Sequence, residues 1–402
     1  MTEIWTQAAL WLGLALVATL LSIWLRVATA LSEIVVGTIA QLIIGAALGG
    51  ALLAGDATWI KFLSGAGAIL LTFLAGAELD PAVLRKQWKS TFAIGLVSFG
   101  LPFLGCAALA RWALGWTVDA SWLAGIAMST TSVAVVYAVM LEFGFNTTHY
   151  GKGVLAACFI TDLATVVSLG LIFAPFTYRT ATFVGAVAVA SVALPWLTPR
   201  FFRRFGARPS ELEAKFLMTC LFAFAALATW ADSEAVLPAY LLGMVLAGTV
   251  GKDHALIRRL RTLTFGLLTP FYFIRAGTLV SLPALVAAPL AFITLLVGKM
   301  LAKLAGVYPV AIGAGSPKKE SMYTTLLMST GLTFGTISAL FGLSHGIVDQ
   351  AQYSALVAAV IGSAVVPTLI ANAFFLPRHL LRADGAGVAV RADPPSPSRR
   401  PS

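Results

Sequence analysis

Residues 159–165 read Phe159-Ile160-Thr161-Asp162-Leu163-Ala164-Thr165 and lie at the centre of an apolar run that extends from about residue 151 to 174. The run is long enough to cross the hydrocarbon core of a bilayer as one helix. An aspartate at the centre of such a helix costs at least about 2.5–3.5 kcal/mol on insertion scales. Asp162 therefore marks a membrane span and a candidate functional site. The alternative is a structural ion pair or an interhelical hydrogen bond.

The rest of the chain is similarly apolar. Of its 402 residues, 59% are hydrophobic and 11% are charged, with a mean hydropathy of +0.90. Soluble domains carry about 25% charged residues, so this composition excludes an ordinary soluble fold. The apolar windows predict an all-α polytopic membrane protein of about thirteen transmembrane helices. They cover residues 7–25, 32–50, 59–77, 90–113, 121–141, 151–174, 180–197, 213–231, 235–250, 262–283, 287–312, 321–341 and 352–376.

The formal net charge of +10 comes from basic residues in alternate loops. With the N-terminus outside, only Lys61, Arg111 and Arg179 would face the outer side. The positive-inside rule therefore predicts a multi-pass protein of the bacterial inner membrane with its N-terminus outside and its C-terminus in the cytoplasm. The basic residues sit in short loops without a nucleic-acid motif, so we expect no nucleic-acid partner.

This layout predicts a transport domain over residues 1–376 and a disordered, basic cytoplasmic tail over residues 377–402, which is rich in Pro and Ser. Six spans, a linker span and six further spans would make the two halves inverted repeats. Spans 5 and 12 carry polar clusters at matching positions, which predict two broken helices. The alternative is ordinary packing of small residues. The clusters are Ser129-Thr130-Thr131-Ser132 in span 5 and Ser329-Thr330-Gly331, Thr333 and Gly335-Thr336 in span 12.

Lys299 lies at the middle of the predicted span 11. Lys299 is either the partner of Asp162 or a proton carrier, because a lysine can release its proton when it is desolvated. Lys303 follows one helical turn later on the same face. We expect Lys303 to extend to the cytoplasmic interface.

Arg275 lies near the middle of the predicted span 10. Because Arg275 cannot readily release a proton, we assign it a structural role. Glu78, at the end of span 3, is its predicted ion-pair partner, and Asp80 is the other candidate. Either acid could instead be a simple interfacial cap.

The end of span 3, residues 73–80 (FLAGAELD), resembles the FLAGLELD signature of the monovalent cation:proton antiporter-2 family, which includes the Kef-type potassium/proton transporters. Other segments resemble motifs of that family in the same order, over roughly residues 10–376. They are Ser32-Glu33-Ile34-Val35-Val36-Gly37, Ser129-Thr130-Thr131-Ser132-Val133-Ala134, Thr161-Asp162, Val297-Gly298-Lys299 and Gly331 through Leu343.

The resemblance implies a core domain of spans 4–6 and 11–13 that moves against a dimerising domain, with the ion site where two broken helices cross at the midplane. It also implies a homodimer. The family has Asp-Asp or Gln-Asp at the ion-binding pair, whereas this chain has Thr161-Asp162. One carboxylate therefore remains. Residues 377–402 are too few for the regulatory domain of the Kef-type proteins, so we expect no gating by a bound nucleotide or thiol conjugate on this chain.

These observations predict a secondary active antiporter that exchanges Na⁺ or K⁺ for H⁺, and that is not an enzyme. Asp162 would bind the cation or the proton in turn, assisted by oxygen atoms of Thr161, Thr130, Thr131 and Ser132. One acid predicts electroneutral exchange, unless Lys299 also releases a proton in each cycle. We expect no cofactor, and membrane lipid as the surroundings. The alternatives are a channel or a non-proton solute carrier on the same fold, and a membrane enzyme, for which no catalytic motif is present.

Overall fold

The computed structural model describes residues 2–25, 28–48, 53, 55–77, 88–145, 148–173, 177–206, 210–231, 233, 235–287 and 289–380. Every regular element in these residues is helical, which confirms the all-α prediction. The α-helices are α1 (Thr2–Leu25), α2 (Thr29–Leu48), α3 (Thr58–Ala77), α4 (Trp88–Ala108), α5 (Val118–Ser129), α6 (Val133–Glu142), α7 (His149–Phe173), α8 (Tyr178–Phe205), α9 (Leu212–Trp230), α10 (Val236–Leu246), α11 (His254–Leu263), α12 (Thr269–Thr278), α13 (Leu282–Ala287), α14 (Pro289–Gly313), α15 (Lys318–Met328), α16 (Thr333–Ser344) and α17 (Gln350–Ile370). Single π-helical turns extend α4 and α17 and join α11 to α12.

Within these residues, nine helical stretches are long and apolar enough to cross a bilayer. They are α1, α3, α4, α7, α8, α9, α14, the pair α15–α16, and α17. Helices α2 and α10 are apolar as well, but the apolar parts are shorter, over Thr29–Ile43 and Val236–Leu246. The chain is therefore a multi-pass membrane protein. The count of thirteen spans stays a prediction, since it also requires the interrupted pairs α5–α6 and α11–α12 to cross.

The helices form two groups. Helices α4, α5, α7, α14, α15, α16 and α17 pack mainly against one another, and α1, α2, α3, α10 and α12 form a second group flanked by α8 and α9. The contacts repeat between the two halves of the chain. The α4–α5 and α4–α7 contacts correspond to α14–α15 and α14–α17, and the α3–α10 contact corresponds to α12–α2. This is the pairing that a duplication of six spans on either side of α8 predicts.

Two breaks interrupt the helices in the middle of the first group. Helix α5 ends at Ser129 and α6 begins at Val133, while α15 ends at Met328 and α16 begins at Thr333. The Ser132 backbone N–H donates to the Thr330 carbonyl oxygen (3.1 Å) across the two breaks. This bond satisfies one freed backbone group of each break inside the protein, as burial in a membrane demands. The predicted broken helices are both present.

Side-chain caps set where α5 and α17 begin. The Thr117 hydroxyl accepts a hydrogen bond from the Ala120 N–H (3.3 Å) at the start of α5. At α17, Asp349 and Gln352 form a reciprocal capping box, with distances of 2.8 and 3.0 Å. These caps satisfy backbone donors that the first helical turn leaves open. They fix where these two helices begin.

The predicted tail needs a correction at its beginning. Residues Arg378–Leu380 form a 3₁₀ turn, and the His379 imidazole Nε2 lies 2.7 Å from Glu320 Oε1 at the start of α15. This contact fastens the first residues after 376 to the helix bundle, so disorder does not begin at residue 377. Residues 381–402 lie outside the described residues.

Candidate functional site

Asp162 lies in the middle of α7, facing the helix breaks. Its side chain is 1% exposed. The backbone N–H of Thr131, in the first break, donates to the carboxylate. Carboxylate Oδ1 is buried without a hydrogen-bond partner. A buried carboxylate oxygen without a donor is costly, so this atom is the natural place for a proton or a cation.

Thr161 points elsewhere, because neighbouring residues on a helix project in different directions. Its hydroxyl lies 3.1 Å from the carbonyl oxygens of Gly95 on α4 and of Ala157 on α7. The contact is possible because Gly95 lets α4 approach closely, since a Cβ there would lie 2.5 Å from Ile160 Cβ. Thr161 thus joins α7 to α4, and this geometry does not support its predicted role as an ion ligand.

The first break places its hydroxyls at the crossing. The Thr131 hydroxyl donates to the Met328 carbonyl oxygen of the second broken helix (2.9 Å). The Thr130 hydroxyl donates to the Ala127 carbonyl (3.1 Å), and Ser132 Oγ accepts from the Val135 N–H (3.3 Å). All three side chains are buried. These hydroxyls belong to the break whose Thr131 N–H contacts Asp162, but each hydroxyl oxygen already has a partner within the protein.

Lys303 is the unexpected member of the site, and the prediction that it extends to the interface is wrong. Its side chain is completely buried. Its Nζ lies 2.7 Å from Ser98 Oγ, 2.9 Å from the Ser129 carbonyl oxygen and 3.0 Å from Thr131 Oγ1. An ammonium has three N–H donors, and these three acceptors use all of them. These partners compensate in part for the hydration that the buried amino group loses.

Lys299 lies one turn away on α14 and is equally buried. Its Nζ donates to Ser363 Oγ on α17 (3.1 Å). The Lys299 amino group also contacts the second break at Gly331. A Cβ added to Gly331 would lie 2.2 Å from Lys299 Nζ and 2.9 Å from Thr130 Oγ1, so only glycine leaves room for the lysine. Lys299 forms no ion pair with Asp162, and no such pair involves Lys303 either, within the described part of the chain. Both lysines are nevertheless close enough to Asp162 to interact with it electrostatically.

A cavity of about 360 Å³ leads to Asp162 from one end of the bundle. Both helix groups line it. Thr333, at the start of α16, comes from the first group. Arg261, on α11, and Phe265, in the turn after α11, lie on the side of the second group. Gly331 and Gly335 border the second break, but only Thr333 among these predicted residues lines the cavity. The carboxylate is thus reachable from this end.

Hydrogen bonds between the helix groups lie around the site and toward the other end. Beside Asp162, the Tyr240 hydroxyl donates to the Phe159 carbonyl (3.0 Å). At the end where α17 begins, the Tyr353 hydroxyl donates to the Ala276 carbonyl (2.8 Å), and the Ser281 N–H donates to Ser354 Oγ (2.8 Å). These two hydrogen bonds connect the two helix groups at the end of the bundle away from the cavity mouth.

Arg275 is not at the middle of its span. The helix from α11 through α12 ends at Thr278, so Arg275 lies in the last turn. Its Nε donates to the Gly55 carbonyl (2.9 Å), and its guanidinium lies 3.9 Å from Asp56 Oδ1. Glu78 lies outside the described residues. Arg275 contacts residues just before the start of α3, and α3 ends at residue 77, about 30 Å away along the helix. These contacts therefore give the predicted pair of Arg275 and Glu78 no support. The acid beside Arg275 is Asp56.

Two serines at mid-membrane hold the buried lysines, and their positions in the sequence do not by themselves predict this. Lys299 and Lys303 share a helix face, and serines at the middle of two other spans, Ser98 and Ser363, supply acceptors for them. A serine at mid-membrane is common in helix packing, so its pairing with a lysine could not be read from spacing.

Comparison with known proteins identifies relatives of this arrangement. Residues 12–376 match the family model "Sodium/hydrogen exchanger, transmembrane". The glutathione-regulated potassium-efflux system protein KefC of Cronobacter sakazakii is 28% identical over 334 residues, which are 78% of this chain and 52% of that protein. The probable Na⁺/H⁺ antiporter 3 of Methanocaldococcus jannaschii is 23% identical over 331 residues, 78% of this chain and 84% of that protein. This chain therefore spans only about half the length of the KefC relative.

The fold has a solved counterpart. The sodium proton antiporter MjNhaP1 of Methanocaldococcus jannaschii, solved at pH 8, superposes with a TM-score of 0.68 at 15% sequence identity, covering 92% of this chain and 96% of that one. At this identity the likeness concerns the fold alone. Because the family model covers nearly the whole described bundle, this chain belongs to the sodium/hydrogen exchanger family.

Proposed function

We propose that this chain is a secondary active antiporter that exchanges a monovalent cation, Na⁺ or K⁺, for H⁺ at Asp162. The observation that carries the proposal is the buried carboxylate with an unpartnered Oδ1, reached by a cavity from one end and lying beside the meeting point of two broken helices. The names of the relatives support the substrates, since they include a potassium-efflux protein and a probable Na⁺/H⁺ antiporter.

The chemistry of exchange follows from the shared carboxylate. A hard monovalent cation prefers oxygen ligands, and Asp162 is the charged oxygen ligand at the end of the cavity. A proton bonded to the same carboxylate excludes the cation, so the two compete. A bare carboxylate would be penalised while it passes apolar residues of the opposing helix group, whereas either loaded form is neutral. That penalty couples the two fluxes.

Alternating access requires one helix group to move so that Asp162 faces each side of the membrane in turn. The helices that hold Asp162, the two breaks and both lysines belong to one group, which we propose moves against the other group as the core domain. The cavity end is then the open side of this conformation, and the bonds of Tyr353 and Ser354 hold the other side closed. The positive-inside rule puts the cavity mouth, with Arg261, in the cytoplasm. We propose the same orientation for the whole chain, in a bacterial inner membrane and as a homodimer.

The charge count favours electroneutral exchange. The count takes Asp162, the acid at the end of the cavity, as the group that changes its load in each cycle. One proton or one cation neutralises it, and both loaded forms carry the same charge. Lys299 has one acceptor in the described residues, Ser363 Oγ, and it remains the candidate for an additional proton.

The test is cation-driven proton movement in proteoliposomes, read with a pH-sensitive dye for Li⁺, Na⁺, K⁺ and Rb⁺. Asp162→Asn should abolish exchange while the protein remains folded, because the amide can neither bind a proton nor balance a cation. The matched control is Asp119→Asn, the same change at an exposed acid in the first turn of α5, which should exchange normally. Exchange at the wild-type rate in Asp162→Asn would refute the assignment.

The same preparation separates the alternative functions. A channel would pass cations at high turnover without proton movement, and a non-proton solute carrier would show no competition between protons and the transported solute. Competition between H⁺ and the cation, at a turnover typical of carriers, would exclude both.

A further inference from the structure

Tyr240 joins the two helix groups at the level of the site. It lies on α10, in the second group, and its side chain is completely buried. Its hydroxyl donates to the Phe159 carbonyl oxygen on α7 (3.0 Å). Phe159 precedes Asp162 by three residues, which is about 4.5 Å along the helix axis. The hydrogen bond therefore crosses from one group to the other beside the carboxylate.

A second contact of the same side chain reaches the other half of the first group. The Tyr240 ring meets the Phe334 ring edge to face, with the ring centroids 5.6 Å apart and the planes at 88°. Phe334 lies on α16, just after the second break, and lines the cavity. Aromatic pairs of this geometry are favourable beyond the area that they bury. One side chain thus contacts a helix from each half of the group that carries Asp162.

Helix α10 holds Tyr240 firmly within the second group. Gly243 follows Tyr240 by about one turn, and a Cβ added to Gly243 would lie 2.2 Å from the Phe73 carbonyl oxygen of α3. A Cβ added to Gly76 of α3 would lie 2.5 Å from the Tyr240 carbonyl oxygen. These two glycines therefore let the backbones of α10 and α3 touch. Because the two helices are packed this closely, Tyr240 stays with the second group when the first group moves.

We propose that the Tyr240 hydroxyl is a latch that stabilises the conformation with the open cavity, and that it thereby sets how often the site turns to the other side. This inference rests on the alternating access in the proposed function. Movement of α7 past α10 breaks the bond between Tyr240 and Phe159. The Phe159 carbonyl also accepts the N–H of Leu163 within α7, as in any α-helix, so it keeps a partner when the latch opens.

Tyr323 provides the matched control for this latch. Its side chain is also completely buried, and its hydroxyl donates to Asn372 Oδ1 (3.0 Å). Tyr323 lies on α15 and Asn372 lies in the π-helical turn after α17, so this bond stays within the first group. Tyr240→Phe and Tyr323→Phe therefore each remove one buried hydroxyl, but only Tyr240→Phe removes a hydrogen bond between the groups.

The experiment detects the opposite conformation with a water-soluble maleimide, on the protein in lipid nanodiscs. Val280 is buried and precedes Ser281, at the end of the bundle that is closed in this conformation. Val280→Cys should therefore react when that end opens. Cys220→Ser removes the native thiol that is partly exposed, since Cys106 and Cys158 are buried. The same protein with Val280 retained gives the background.

In this background Tyr240→Phe should raise the labelling rate about fivefold, the factor by which one net hydrogen bond shifts an equilibrium. Tyr323→Phe should leave the labelling rate unchanged, although both variants should unfold at a lower temperature than their parent. An unchanged labelling rate in Tyr240→Phe, or an equal rise in Tyr323→Phe, would overturn the proposal. Absence of exchange in the wild type would instead refute the proposed function, since the labelling does not depend on exchange.

Discussion

Gly331 offers a direct test of how the second break accommodates Lys299. A Cβ at this position would lie 2.2 Å from Lys299 Nζ, 2.9 Å from Thr130 Oγ1 and 3.2 Å from Ser363 Oγ. The first distance is impossible, so Gly331→Ala must displace the ammonium from its place beside the break. Its hydrogen bond to Ser363 would then be lost or lengthened.

The magnitude follows from these contacts. The obstructing atom is the end of a flexible side chain, so the backbone can stay in place and the loss should resemble mild overpacking, about 1–3 kcal/mol. Gly100→Ala on α4 is the matched control, because a Cβ there meets nothing within 4 Å. That change should stabilise the helix by about 0.4–1 kcal/mol.

The assay is thermal unfolding in detergent, followed by exchange in proteoliposomes. Gly331→Ala should unfold at a lower temperature than the wild type and exchange more slowly, and Gly100→Ala should do neither. If both alanine variants gained stability and exchanged at the wild-type rate, the ammonium would not be where the second break places it. The argument about Lys299 would then fail.

Two further predictions concern charge. Imposing a membrane potential with valinomycin and potassium during Na⁺-driven exchange should leave the rate and end-point unchanged, and a voltage-dependent rate that Lys299→Gln removes would identify Lys299 as the carrier of a second proton. Arg275→Ala should lower the free energy of unfolding by about 1–3 kcal/mol, because the part-buried Gly55 carbonyl loses a hydrogen bond from a charged donor. Asp56→Ala should cost less than about 1 kcal/mol, since the Asp56 side chain is 80% exposed. Equal losses in these two variants would show that the ion pair, rather than the carbonyl bond, fastens Arg275.

The sequence by itself determined the features that depend on composition and on position along a span. Apolar runs are sufficient for a helical membrane protein, because each span satisfies its own backbone hydrogen bonds. The burial of Asp162 followed from its place at the centre of a run. The two breaks followed from clusters of Ser, Thr and Gly at matching positions of the two halves.

The tertiary structure decided which side chains meet. Adjacency in sequence suggested that Thr161 would share the ion site with Asp162, but a helix turns by about 100° per residue, and Thr161 contacts α4 instead. Lys303 was expected at the interface, yet the end of α5 and Ser98 hold it inside the bundle. Arg275 meets Gly55 and Asp56, from a loop between two other spans. Such partners come from helices distant in sequence, and only the packing of the helices sets the distances between them.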